Sequence, residues 1–243
     1  MPEEGAAPAT GNTNAQEAVE FPLGLLDWAG HRRGGVRRMF AAADGRPAGE
    51  LIHTPLLGRL RAWAQDIAGG RPTTPRIVLL VGGPGNGKTE AVEDCIRVLE
   101  TSLAIDGQIS AALGPPFNPT DGSTVPRSVH VELEKLGLAR SLSITLVPDA
   151  SVGEDDETGP AVSLIKDLES ALSADASAIY LACVNRGILD DALIAAQGSD
   201  SQARKLISTI VGALAAGVGA PSCWPLVKFS EVAIWPMDVE SLF

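Results

Sequence analysis

Ile77-Val78-Leu79-Leu80-Val81 runs directly into Gly82-Gly83-Pro84-Gly85-Asn86-Gly87-Lys88-Thr89, and this stretch decides the fold. An unbroken β-branched and aliphatic run suits a strand buried on both faces of a parallel sheet. The glycines that follow allow a backbone turn that wraps close to an anion and aims its N–H groups inward. A helix predicted to begin at Lys88 would direct the positive end of its dipole at the same point. Lys88 adds a point charge and Thr89 a hydroxyl. The spacing G-x-x-x-x-G-K-[ST] arises by chance in a chain of this length about once in a hundred, and the flanking strand and helix lower that further.

The rest of the chain repeats the alternation. Thr54-Pro55 reads as an N-cap followed by proline at the first helical position. Leu56, Leu57, Leu60, Trp63 and Ile67 then recur at helical spacing until Gly69-Gly70. Further strands are predicted at 144–147, 178–184 and 227–235, with helices at 88–104, 160–174, 188–197 and 202–216. Strands alternating with helices imply an α/β fold: a doubly wound, mainly parallel sheet flanked by helices, an αβα sandwich. One more strand, 128–133, lies too close to the strand beginning near 142 for a crossover helix, so the two are expected to be antiparallel neighbours. The Gly-, Pro- and Asn-rich interval 107–128 reads as a long surface loop. The segment 151–159, with Glu154-Asp155-Asp156-Glu157, reads as an acidic loop beside one strand end.

Composition bounds the remaining possibilities. The 243 residues are 45% hydrophobic and 20% charged, which is ordinary globular usage. Lys plus Arg is 19 and Asp plus Glu is 30, a net charge of −11, which argues against a nucleic-acid or membrane-surface binder acting through its whole surface. The charge is uneven. Residues 1–20 carry acids only and read as a disordered acidic tail. Residues 21–50 form a basic segment with Arg32, Arg33, Arg37 and Arg38, flanked by Trp28 and Phe40. That cluster is either a docking patch for a nucleic acid or acidic partner, or a plain solvated helix face. Residues 51–243 form the core. Three scattered cysteines, Cys95, Cys183 and Cys223, suit neither a disulfide framework nor a zinc site and fit a reduced, cytoplasmic setting. The acidic start lacks the order of a signal peptide. The longest apolar run, 206–220, is interrupted by Ser208, Thr209 and several glycines and is too short to span a bilayer.

Two other strand ends gain meaning behind the glycine loop. Ser143-Ile144-Thr145-Leu146-Val147-Pro148-Asp149 is an aliphatic run ending in an acid. Ala178 to Val184 ends at Asn185, followed by Arg186-Gly187. Taken alone, an Asp after a strand is more often a turn residue, and Asn185 is as well suited to capping the next helix as to contacting a ligand.

Together with the loop, residues 51–243 resemble the AAA+ and related P-loop ATPases, which place an extra strand between the P-loop strand and the Walker B strand. The resemblance implies a Walker A loop formed by Gly82, Gly83, Pro84, Gly85, Asn86, Gly87, Lys88 and Thr89, holding ATP. It implies Mg²⁺ directed by Thr89 and the Walker B Asp149, and Asn185 as a sensor of the γ-phosphate or attacking water. The implied activity is ATP hydrolysis that drives or gates a partner protein, domain or second copy. A switch or scaffold with negligible hydrolysis is the alternative, and a small-molecule kinase ranks below both. The sequence departs from the family in three places. Ala150 and Ser151, not Glu, follow Asp149. Arg and Lys are absent between Lys205 and Lys228, where an arginine finger is usual, leaving Arg186 and Arg204 as the nearest candidates. No lid of helices is expected after the last strand. Slow intrinsic turnover follows from these departures.

Overall fold

The computed structural model describes residues 39–40, 52–121, 123–153, 158–217 and 223–237. The chain divides into two units, and the described residues all belong to the second, which comprises Met39–Ala41 and Glu50–Phe243. The predicted acidic tail, Trp28, the cluster Arg32, Arg33, Arg37 and Arg38, and the run Glu154–Glu157 lie outside the described residues.

Helix α1 (Pro55–Ala68) begins as its sequence dictates. The Thr54 side chain accepts from the Leu57 N–H, Pro55 takes the first position and Gly69 closes the helix. Its stripe of Leu56, Leu57, Leu60 and Trp63 is buried, and the Trp63 Nε1–H donates to the Pro75 carbonyl at 2.6 Å, which fixes the approach to the first strand. Strand β1 (Ile77–Val81) is buried at all five positions, and helix α2 (Lys88–Leu103) follows the glycine loop. The remaining elements are α3 (Gln108–Phe117), β2 (Val129–Glu132), a 3₁₀ turn (Leu133–Leu136), β3 (Ser143–Val147), α4 (Pro160–Ser173), β4 (Ala178–Val184), α5 (Arg186–Ala195), α6 (Gln202–Ala215) and β5 (Val232–Pro236).

The five strands form one sheet in the order β2-β3-β4-β1-β5. β1 pairs in parallel with β4 and β5, and β3 pairs in parallel with β4. β2 runs antiparallel to β3, as the short connection requires. Alternate β1 side chains serve opposite faces. Val78 and Leu80 join a core with residues of α1, α2 and α3. Ile77, Leu79 and Val81 join another with residues of α4, α5 and α6. The sheet is therefore covered by helices on both faces, which explains why its central strands carry no polar alternation.

Two expectations need correction. The interval 107–128 contains α3, whose Ile109, Leu113 and Phe117 lie one turn apart on a buried stripe. Gly107 offers no side-chain cap. The buried Glu100 carboxylate of α2 instead accepts from the Ser110 N–H at 2.6 Å and the Ser110 hydroxyl at 2.9 Å. A charge-accepting cap on otherwise orphaned donors stabilises a helix that ends in Pro115-Pro116. Glu100→Ala is expected to lower stability by about 2 kcal/mol in urea unfolding, because two bonds to a buried carboxylate are lost. The last strand is also shorter than expected. It begins at Val232, since Leu226 and Phe229 close a tight bridge that turns the preceding residues away.

Met39 and Phe40 pack with this unit. Met39 is buried in the α1–α2–α3 core, and Phe40 packs against it. The Phe40 N–H donates to Glu93 at 2.7 Å, and the Asn118 side-chain amide donates to the Met39 carbonyl at 2.6 Å. Gly114 fits closely here: a Cβ would lie 3.1 Å from the Phe40 carbonyl oxygen, which would have to give way by a few tenths of an ångström.

Candidate functional site

The C-terminal ends of β1, β4 and β3 lie side by side. Parallel register sets Val81 opposite Val184, and Val147 opposite Ala182. The Gly82 N–H extends the ladder to the Val184 carbonyl at 3.0 Å, and the Ala150 N–H reaches the Cys183 carbonyl at 2.9 Å. Gly82, Asn185 and Asp149 are thus brought to one edge of the sheet. Open α/β sheets present their ligand crevices at this edge.

The loop after β1 owes its path to glycine. Gly85 and Gly87 have φ of 82° and 76°, left-handed backbone that an L side chain rarely adopts. Gly87 is also the N-cap of α2 and supplies no side-chain acceptor to the start of that helix. Pro84, Gly85, Asn86 and Gly87 are exposed, while Lys88 and Thr89 are half-buried at the start of α2. The Lys88 ammonium donates back to the carbonyls of Gly82 at 2.7 Å and Gly83 at 2.6 Å. The lysine therefore spans the loop that precedes it.

Asp149 stands exposed just beyond β3. Its Oδ1 accepts from the Ser151 N–H at 2.9 Å and from the Ser151 hydroxyl at 2.6 Å. Its Oδ2 has no hydrogen-bond partner among the described residues. Cys183 is buried on β4, the strand between those that lead into the loop and into Asp149. Burial pushes its thiol up to about 12, with Asp149 reinforcing that shift and Lys88 opposing it. The buried thiol stays protonated and inert.

Asn185 occupies the N-cap position of α5, but its side chain makes no capping bond. Only its backbone carbonyl serves the helix, accepting from Ile188 at 3.1 Å. The plain capping role therefore does not account for the side chain. Arg186 is exposed, and Arg204 is half-buried on the first turn of α6, with its Nε buried and without a hydrogen-bond partner among the described residues.

The antiparallel β2 places Val129 opposite Leu146 and Glu132 opposite Ser143. Glu132 and Glu134 consequently lie toward the edge away from Asp149, and the start of β2 lies toward it. Arg127, just before β2, is buried against the Asp149 turn and pairs with Asp167. Nothing in the sequence marks Arg127 for a role at this edge. Its partners there are backbone carbonyls, which carry no sequence signature. A separate open hollow, lined by residues such as Pro116, Asn118, Thr120, Asp121 and Pro126, contains none of the loop residues 82–89.

Among the described residues no group of three or more His, Cys, Asp or Glu is placed to hold a metal ion. Any ion at this edge would rely on one protein carboxylate, a hydroxyl, water and ligand oxygens, which is the usual habit of Mg²⁺. Among the described residues no helix is long and apolar enough to cross a membrane. Comparison with known proteins finds no matching family model, no similar curated protein and no similar solved structure, so the functional reading rests on the chemistry of this edge.

Proposed function

We propose that this chain binds Mg²⁺-ATP at the 82–89 loop and hydrolyses it slowly, as an AAA+-like P-loop module that drives or gates a partner. The observation that carries the reading is the alignment of Gly82, Asn185 and Asp149 on three adjacent strand ends, with Lys88 opening the helix behind the loop. A strand inserted between the loop strand and the Asp149 strand supports the AAA+-like comparison. In this reading the loop N–H groups and Lys88 hold the phosphates. Thr89 and the unengaged Oδ2 of Asp149 hold the metal or its water shell, and the uncommitted Asn185 amide orients water or the γ-phosphate. Bound Mg²⁺ supplies neutralisation of charge on the transferring phosphoryl group.

A switch that binds ATP with negligible turnover is the second reading. It is favoured by the residue after Asp149. Ala150 is buried and makes its polar contacts through its backbone alone, the N–H to Cys183 and the carbonyl to Arg127, so the position that would carry a general base carries a methyl group.

Asp149→Asn tests the assignment. Calorimetry with a non-hydrolysable ATP analogue is expected to show the half-saturating Mg²⁺ concentration raised about tenfold, with nucleotide affinity in chelator unchanged. Superimposable magnesium titrations for mutant and parent would remove Asp149 from the site.

A further inference from the structure

We propose that Arg127 is a positioning residue for Asp149. Its buried guanidinium clamps the turn that follows Asp149 and so sets the direction in which Oδ2 faces the metal. The inference rests on the Mg²⁺-ATP reading above. Arg127 has only 5% of its side chain exposed, and its donors divide into two sets. Nε and Nη2 donate to Asp167 Oδ2 at 3.2 and 2.9 Å. Nη1 donates to the Ala150 carbonyl at 2.9 Å and also to the Val152 carbonyl. Asp167, on α4, additionally accepts from the Tyr180 hydroxyl of β4 at 3.3 Å. Burial, with the Asp167 charge next, pushes the Tyr180 phenol far up, so it remains a donor.

Arg127 therefore links the start of β2 to the 150–152 turn and to α4, and through Asp167 to Tyr180 of β4. Apart from Arg127, among the described residues the turn is held by Ser151 on Asp149 Oδ1, a long Val152 N–H contact to the Asp149 carbonyl at 3.4 Å, and the Ala150 N–H on β4. The outer carbonyls depend on Arg127. A buried ion pair adds little stability over apolar packing of the same volume, so what the arginine supplies here is placement. The fork geometry matters. Lysine, a point charge, can serve the carboxylate or the carbonyls but not both as a planar fork does.

The test uses the full chain and compares Arg127→Met, Arg127→Lys and Tyr180→Phe with the parent and with Asp149→Asn. Hydrogen exchange without nucleotide reads the clamp directly. Arg127→Met is expected to accelerate exchange in the peptide covering 149–153 and leave 77–89 unchanged. Calorimetry with the ATP analogue reads the metal. Arg127→Met should raise half-saturating Mg²⁺ about tenfold, the size expected when an outer partner of a ligand is lost, with affinity in chelator unchanged. Arg127→Lys and Tyr180→Phe should shift both readouts in the same direction by less, and they decide the matter if the methionine variant does not melt cooperatively. Folded variants with parental exchange at 149–153 and a parental magnesium curve would overturn the role of Arg127 while leaving the nucleotide reading intact. A parent chain that binds no nucleotide in a Mg²⁺-dependent way would overturn both, and that outcome is seen in the parent alone.

Discussion

Lys88→Ala is expected to remove ATP binding by ~100-fold or more, since two charge-assisted contacts to phosphate oxygens are together worth about 3 kcal/mol. The fold should survive. Lys88 is half-buried at the start of α2, and its bonds to the Gly82 and Gly83 carbonyls lie in the loop and not in the hydrophobic core. The comparison to make is a thermal melt beside a calorimetric titration with the non-hydrolysable analogue. Parental affinity in a mutant that melts normally would show that the loop is a plain β–α turn. Arg at this position would be no rescue, because a planar fork needs a different path from a point charge reaching between loop carbonyls.

Hydrolysis by the isolated chain is expected to be slow and to rise steeply when a partner completes the site. Phosphoryl transfer depends on placement and charge neutralisation, and a single arginine supplied from outside is worth ~10³–10⁵ in rate. Neither local arginine is committed to that task. Arg186 points from an exposed helix start, and Arg204 keeps a buried Nε without a bond among the described residues. Arg127, the other arginine at this edge, already has its donors engaged by Asp167, Ala150 and Val152. Steady-state phosphate release should be measured over a range of chain concentrations, then with DNA, RNA or co-purifying proteins. Turnover of about 10 per second that ignores both dilution and additives would mean a complete site within this chain. Acceleration by self-association alone would assign the finger to Arg186 or Arg204 of a second copy.

Much of this architecture could be read before any coordinates. The run Ile77–Val81, the glycine spacing and the Lys88 helix start are local signals, and each is fixed by backbone sterics or by burial on two faces. The antiparallel β2 was legible from distance alone, because the chain between it and β3 is too short for a crossover. What stayed hidden depended on contacts between distant residues. In α3 the Ile109–Leu113–Phe117 stripe was outweighed by neighbouring Gly and Pro, and its cap comes from Glu100 of another helix. The side-chain freedom of Asn185 cannot be read from sequence, because an asparagine after a strand is equally suited to capping. Arg127 meets carbonyls whose positions are set by the whole sheet.

The seating of Met39 and Phe40 bears on how the protein can be cut. A fragment starting at residue 51, where the core is expected to begin, would strip the Phe40 N–H from Glu93 and the Met39 carbonyl from Asn118. It would also open a hollow beside Gly114, whose missing side chain makes room for Phe40. Glu93 lies on the same helix that Lys88 opens, so the damage would fall on the helix that follows the glycine loop. Expression boundaries for biophysical work therefore belong upstream of Met39, and a short recombinant piece that misbehaves would report on its own truncation, not on the native chain.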